Sequence, residues 1–399
     1  MPPSLLLLLL AAPDRDLIPP LDLILYGATG CVGHFAATHL SRQAGLRWAI
    51  ADRNATKLSA LASSLRASSS PSQPELIVAS LSQHMQWVRR AAVVATAAGP
   101  YSIHGGAALL KACAENGVHY ADLSDEFPWQ RRMIDAHDHT ARRSGARVVL
   151  GAGFCALAGE MGSQLAIEKM ADGVPRRRTV HSPGDDVSVD AWLEEYNGGV
   201  SAGVINTPHN LSYPKQWDLD PYVLAPNASA SLRIDSTVEG MSYPSWVAAE
   251  GVVVPSIFGA YDARLLRRAF VHHGQRVRLR VGAAPGMYAR WAAFLAIHPS
   301  GWGSLTSCPA PVLFEKGAWK YRFQARGGDR KSEVVLSGRG DPGYYFTSIG
   351  LAETALCLAG KTVDCIRSDS PGGVGTVSMA LRPDAIADRL RHLGALEVE

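Results

Sequence analysis

Between Leu21 and Gly151 the chain alternates short apolar runs with longer stretches in which apolar residues recur every three or four positions. A run of five or six apolar residues bounded by turn formers marks a buried strand. The three-to-four spacing marks one packed face of a helix. Residues 21–26, 46–51, 75–79, 91–98, 119–123 and 147–151 therefore predict strands, and 34–42, 57–65, 84–90, 107–116 and 127–144 predict helices. Such alternation predicts an α/β fold, a Rossmann-type doubly wound parallel sheet with helices on both faces. In sheets of this kind ligands bind beyond the carboxyl ends of the strands, so polar residues just after each run become site candidates.

The pattern changes near Pro175. From there to about Gly340 the chain is richer in Pro, Trp and Tyr, and strands dominate, at 179–181, 187–191, 277–281, 320–326 and 332–337. This predicts a second, mixed α+β domain, with an apolar helix at 290–297 in its core or at a subunit contact. Helices at 343–359 and 385–393 close the chain. The expected division is a leucine-rich tail (1–18), a dinucleotide-binding domain (19–155), a substrate and dimerisation domain (156–342) and a helical segment returning to the first domain (343–399).

The first strand ends at Gly27-Ala28-Thr29-Gly30-Cys31-Val32-Gly33, with a glycine at every third position. In a dinucleotide site the first glycine lets the strand turn and the second lets backbone N–H groups approach a pyrophosphate. The third lets the helix pack close, aiming its positive end at the phosphates. The strand before, the helix after, and the pair Asp52-Arg53 beginning 19 residues beyond Gly33 supply the context the motif requires. Gly27, Thr29, Gly30, Cys31, Val32 and Gly33 are the expected phosphate cradle, and Asp52, Arg53 and Asn54 the expected ribose contacts. An acid at position 52 suits the ribose hydroxyls of NAD, whereas Arg53 suits the 2′-phosphate of NADP. NADP is favoured, because Arg53 can swing over the adenine while Asp52 turns toward Asn54 or solvent; NAD is the alternative.

Composition narrows the picture. The length of 399 residues calls for two domains. A net charge of +3 with dispersed arginines argues against nucleic acid as a partner. The six cysteines have no metal-like or CxxC spacing and are expected to be free thiols, as in a reducing compartment, with a cytoplasmic location. Leu5 to Ala12 resembles a signal-peptide core, but no basic residue precedes it and it is too short to span a bilayer. It is read as a flexible tail with weak membrane affinity. His181, His209, His272 and His273 show no ligand-like arrangement, so no metal site is expected.

A wider set of residues carries a family resemblance. It comprises Gly27-Ala28-Thr29-Gly30, Arg53 with Lys57-Leu58, Gly99-Pro100-Tyr101, Gly105, Ala112-Cys113, Gly117, His119-Tyr120, Asp122 and Glu126. It continues through Asn197-Gly198-Gly199, Ser201, Asp341-Pro342-Gly343-Tyr344, Thr347, Ala352-Glu353 and Pro371-Gly372-Gly373-Val374. This set resembles the saccharopine dehydrogenase-like oxidoreductases, which include the trans-acting enoyl reductases. The resemblance implies hydride transfer from NADPH, a homodimer, and reduction of a polyketide- or lipid-like intermediate as one activity. Family members usually carry Asp-Ser after the Gly-Phe pair. Here Gly153-Phe154 is followed by Cys155-Ala156, which predicts a more apolar pocket for a small-molecule or carrier-bound apolar substrate.

Within this frame Gly99, Pro100 and Tyr101 are expected to close over the cofactor. Tyr101 or His104 can protonate an enolate carbon after hydride addition, with Tyr101 as a packing residue the alternative. Ser102, Tyr120, Phe154, Tyr196, Asn197 and Ser201 are the expected substrate contacts, although Tyr120 with Asp122 also reads as a structural hydrogen-bond pair. Glu126 is expected to cap the following helix. Rival readings are a saccharopine-type imine reductase, and a non-redox member such as a cyclase, isomerase or lipid-associated scaffold.

Overall fold

All six side chains of the first strand, β1 (Leu21–Tyr26), are buried, so it must lie inside a sheet covered on both faces. The computed structural model describes residues 21–81, 85–171, 186–199, 214–235, 245–247, 251–256, 259–297, 308, 316–362 and 364–399. β1 is followed by β2 (Trp48–Asp52), β3 (Glu75–Val78), β4 (Ala91–Thr96), β5 (His119–Ala121) and β6 (Arg147–Val149). The sheet order is β3-β2-β1-β4-β5-β6, all parallel, extended past β6 by a seventh strand, Gly373–Gly375. Helices α1 (Cys31–Ser41), α2 (Ala55–Ala67), α3 (Gly106–Asn116) and α4 (Phe127–Ser144) connect the strands. Alternate residues of β1 face opposite cores. Leu23 and Leu25 join Ala36 and Leu40 of α1, whereas Ile24 and Tyr26 join Leu109 of α3 and Met133 of α4. This is the doubly wound Rossmann architecture, and its direction reverses between β1 and β4.

The second sheet is built differently. α5 (Phe154–Ala171) leaves β6 and leads to β7 (Val187–Asn197). A hairpin, β8 (Ser245–Val247) and β9 (Gly251–Val253), precedes α6 (Gly259–His272), β10 (Val277–Ala283), α7 (Met287–Ile297), β11 (Ala318–Gly327) and β12 (Arg330–Arg339). The strand Gly373–Gly375 is β13, and β14 (Glu397–Val398) ends the chain. The order is β10-β7-β11-β12-β14, antiparallel except for β10 with β7. Trp319, Tyr321, Phe323 and Ala325 of β11 alternate inward and pack in one core with Ala158, Met161 and Ala166 of α5. The opposite face carries ion pairs, including Nε and Nη2 of Arg280, each donating to one Asp190 carboxylate oxygen at 2.6 Å.

Several expectations are refined. The short helix at 84–90 is a 3-10 segment, Gln86–Arg90. The expected strand at 179–181 and the leucine-rich tail lie outside the described residues. The helix expected from 343 opens as a π-turn, Pro342–Phe346, because the Asp341 carboxylate takes the Tyr344 N–H at 2.8 Å before α8 (Thr347–Leu358) begins. In the C-terminal segment α8 packs on α1, and β13 pairs with β6 of the first sheet. After α9 (Pro383–His392), however, β14 pairs with β12 of the second sheet, so the segment ends on the other domain. Among the described residues no helix is long and apolar enough to cross a membrane.

Candidate nucleotide and active site

The turn after β1 is shaped by contacts that exclude side chains. Gly27 has φ +77°, and a Cβ there would lie 2.9 Å from the Ala98 nitrogen; a Cβ on Gly33 would run into the Gly27 carbonyl. Gly30 caps α1 in an extended conformation, with no side-chain cap and no acid in the first turn. The N–H groups at the start of a helix have no partner within it, so Cys31, Val32 and Gly33 present donors and a positive dipole end to whatever lies in front. The half-buried Cys31 and Val32 flank this opening. A glycine cradle beneath an uncapped helix end fits a pyrophosphate.

Asp52, at the end of β2, is occupied within the turn. Its Oδ2 accepts the Thr29 hydroxyl at 2.6 Å and the Thr29 N–H at 3.3 Å, and its Oδ1 accepts the Asn54 N–H at 3.2 Å. Asn54 uses its side-chain oxygen to cap α2 through the Lys57 N–H at 2.9 Å. Arg53 is exposed beside them and finds no ion pair among the described residues. The acid that would read a ribose hydroxyl is therefore turned inward, and the cation that would read a 2′-phosphate is left outward. Residues 23–149 match the family profile described as saccharopine dehydrogenase NADP binding domain. The first domain is thus similar to an NADP-binding domain, which supports NADP as its cofactor.

Two relatives extend the likeness. A putative trans-acting enoyl reductase of Mycobacterium tuberculosis is 28% identical over 425 residues, covering 94% of this chain and 96% of its own. A trans-acting enoyl reductase of Mycobacterium leprae is 32% identical over 219 residues, covering 52% of this chain and 50% of its own. Among solved structures, apo histidine-tagged saccharopine dehydrogenase (L-Glu forming) from Saccharomyces cerevisiae aligns over 94% of this chain and 99% of its own, at 11% identity and a TM-score of 0.45.

The NADP cleft continues along the other strand ends. After β4, Gly99–Pro100 is a cis peptide, and Tyr101 folds back into the core. Its hydroxyl donates to the Thr96 carbonyl at 2.9 Å and accepts the Leu123 N–H at 3.0 Å, tying β4 to the loop after β5. Burial, with the charges of Asp122, Asp125 and Glu126 nearby, pushes the phenol well above its ordinary value. This geometry corrects the expectation of a proton-donating phenol in the cleft. Glu126 occupies the cap position of α4 but does not cap it with its side chain; it accepts the Tyr101 and Ser102 N–H groups at 2.6 and 3.1 Å. Ser102 is half-buried with its hydroxyl unpartnered among the described residues, and His104 is exposed two residues on.

Other expected contacts are drawn inward too. Tyr120 is fully buried and donates to Asp122 at 3.0 Å; Asp122 in turn accepts from Ser124 and the Gly151 N–H. That is the structural pair, not a substrate contact. Phe154 is buried with its ring edge-on to Trp319 and Phe346, at centroid distances of 4.9 and 5.8 Å. Tyr196, also buried, packs on Phe154 and Trp291. Asn197 donates to Glu195 at 2.7 Å, and the nearby Gly199 N–H goes to Asp341 at 2.5 Å. The aromatic residues among them pack into one core shared by α5, β7, β11 and the turn before α8. Ser201 lies outside the described residues.

Two acids absent from the expected site meet where the cleft was thought apolar. Asp125 lies in the loop after β5, Cys155 in the first turn of α5, and Asp262 in the first turn of α6. Tyr261 fastens α6 to that loop by donating to the Ser124 carbonyl and accepting from Gln130 at 3.0 Å. Asp125 is exposed yet closely surrounded by protein; the lost hydration, with the neighbouring charges of Glu126 and Asp122, pushes its carboxyl up to about 6. Asp262 is buried, with Oδ1 unpartnered among the described residues. Burial and the charge of Asp125 push its carboxyl well above its ordinary value. Burial and these two acids likewise keep the Cys155 thiol protonated. Polar character lost after Phe154 is thus returned by other elements. The run 122–126 marks the loop, but nothing near position 262 in the sequence signals that α6 reaches it.

Cys31 requires a further correction. It is joined to Cys308 by a disulfide, with Cα atoms 5.3 Å apart and 277 residues between them in sequence. No spacing motif can reveal a pair brought together only by the fold. The other four cysteines are free, as expected. Among the described residues no group of three or more potential metal ligands forms.

Proposed function

We propose that this chain is an NADPH-dependent reductase of an activated double bond, of the trans-acting enoyl reductase kind, acting on a polyketide- or lipid-like acyl intermediate. The observation that carries the reading is the protonatable Asp125 at the strand ends of the domain whose glycine turn and uncapped α1 form the phosphate cradle. Bound NADPH supplies the hydride. Arg53 holds the 2′-phosphate, and the amides of Cys31, Val32 and Gly33 hold the pyrophosphate. Hydride addition to the β-carbon of an enoyl thioester leaves an enolate that must gain one proton at the α-carbon. Asp125 delivers that proton, because its carboxyl, pushed up to about 6, gains and loses a proton close to neutral pH. An imine reductase needs arginines open to substrate carboxylates. Arg264 and Arg268 of α6 instead spend guanidinium N–H groups on the carbonyls of Asp218, Leu224 and Val374, and Arg267 pairs with Asp235.

The acid must be protonated to act, so kcat/KM for an α,β-unsaturated acyl thioester should be highest below pH about 6 and fall as pH rises through that value. Asp125→Asn should lower kcat by about 100-fold or more and flatten this limb. Wild-type turnover in Asp125→Asn, with the pH limb intact, would remove Asp125 from the mechanism.

A further inference from the structure

The disulfide sits at the N-terminal end of α1, the helix whose first amides form the expected phosphate cradle. Cys31 is the first residue of α1, directly after the capping Gly30. Side chains in a helix tilt toward its N-terminus, so the Cys31 sulfur projects past the helix end into the space that the Cys31, Val32 and Gly33 amides serve. With the bridge closed, the Cys308 backbone is held with its Cα 5.3 Å from that of Cys31. A phosphate oxygen accepting from these amides must approach to about 3 Å, and the sulfur pair and the Cys308 main chain compete for that volume.

We propose that the Cys31–Cys308 disulfide is a redox latch on the nucleotide site: bridged, it obstructs the pyrophosphate; reduced, it admits NADPH. The inference rests on the nucleotide-dependent reading above and adds its regulation. The chemistry is exchange with a dithiol reductant. One thiolate of the reductant attacks the Cys308 sulfur, which is reachable because Cys308 is exposed. The S–S bond breaks, and Cys31 leaves as a thiolate. The reductant's second thiol then displaces Cys308. Two electrons and two protons pass to the protein, giving two cysteine thiols and the oxidised dithiol. Cys31 is a good leaving group for the reason the site binds phosphate, since the positive end of α1 stabilises a thiolate at its first position. Reoxidation by a disulfide of the same class reverses the step.

The experiment compares NADPH binding, read from nicotinamide fluorescence, for full-length protein oxidised with diamide and for the same protein reduced with dithiothreitol. Thiols titrated in denaturant should number four before reduction and six after. The NADPH Kd should be at least about tenfold weaker in the oxidised form. Cys308→Ser should bind as tightly as reduced wild type in either condition. Six thiols after diamide treatment, or equal Kd in the two wild-type forms, would overturn the latch while leaving the nucleotide reading in place. Failure of both reduced wild type and Cys308→Ser to bind NADPH would overturn that reading, and the latch with it.

Discussion

At the scale of single residues, cofactor choice depends on where one carboxylate spends its hydrogen bonds. With Asp52 satisfied by Thr29 and Asn54, its charge is directed into the turn, and Arg53 faces the ribose end of the site. A charge-assisted hydrogen bond is worth about 1.5–3 kcal/mol, which is roughly a tenfold to hundredfold change in affinity. Arg53→Ala should therefore raise the Kd for NADPH by at least about tenfold and leave that for NADH within about twofold. Equal weakening of both cofactors in a titration would show that Arg53 does not read the 2′-phosphate. The sequence displays both residues of this pair but not the answer, because the orientation of Asp52 is decided by Thr29 across the turn. The acids Asp125 and Asp262 escape sequence reading for a stronger reason. Each is unremarkable in its own segment; the surrounding protein with the charges of Glu126 and Asp122 raises the proton affinity of Asp125, and burial with the charge of Asp125 raises that of Asp262.

At the scale of elements, Tyr101 links the loop after β4 to the loop after β5, and Glu126 holds the same junction from the other side through the Tyr101 and Ser102 amides. Removing the phenol oxygen leaves the Leu123 N–H and the Thr96 carbonyl in a buried site without that partner. Tyr101→Phe should cost about 1–3 kcal/mol of stability, seen in denaturant unfolding, while turnover per folded molecule stays near wild type. A loss of turnover without a loss of stability would return Tyr101 to catalysis. The strands and helices of the first domain are legible because each carries a local periodicity. β13 is not, since Gly373-Val374-Gly375 has one side chain of any size and becomes a strand only by pairing with β6. β14 is two residues long and owes its existence to β12 in the same way. Long-range pairing of this kind leaves almost no trace in a short window of sequence.

At the scale of the whole molecule, α5 crosses from the end of the first sheet to the face of the second, and Glu160 is the carboxyl group buried within its packing. Its side chain is 2% exposed. One oxygen accepts the Thr376 hydroxyl at 2.8 Å and the Ser378 N–H at 2.7 Å, joining α5 to the segment just beyond β13; the other oxygen has no partner among the described residues. Burial outweighs these donors and the nearby Arg268, pushing the carboxyl from an ordinary 4.5 up to about 7. The folded protein therefore keeps this proton over a range in which the unfolded chain has lost it. Stability falls as pH rises from about 4.5 to about 7 and levels off above, by roughly 3 kcal/mol from this one group. Glutamine at this position can accept the Ser378 N–H and cannot ionise. Glu160→Gln should melt close to wild type at pH 4.5 and progressively above it as pH rises, with the gap reaching its maximum near pH 7. A gap in Tm that stays constant across this range would mean that Glu160 is already ionised in the folded protein and that the joint between α5 and the C-terminal segment is held by charge. A widening gap would mean that a neutral hydrogen-bonded acid joins the two domains.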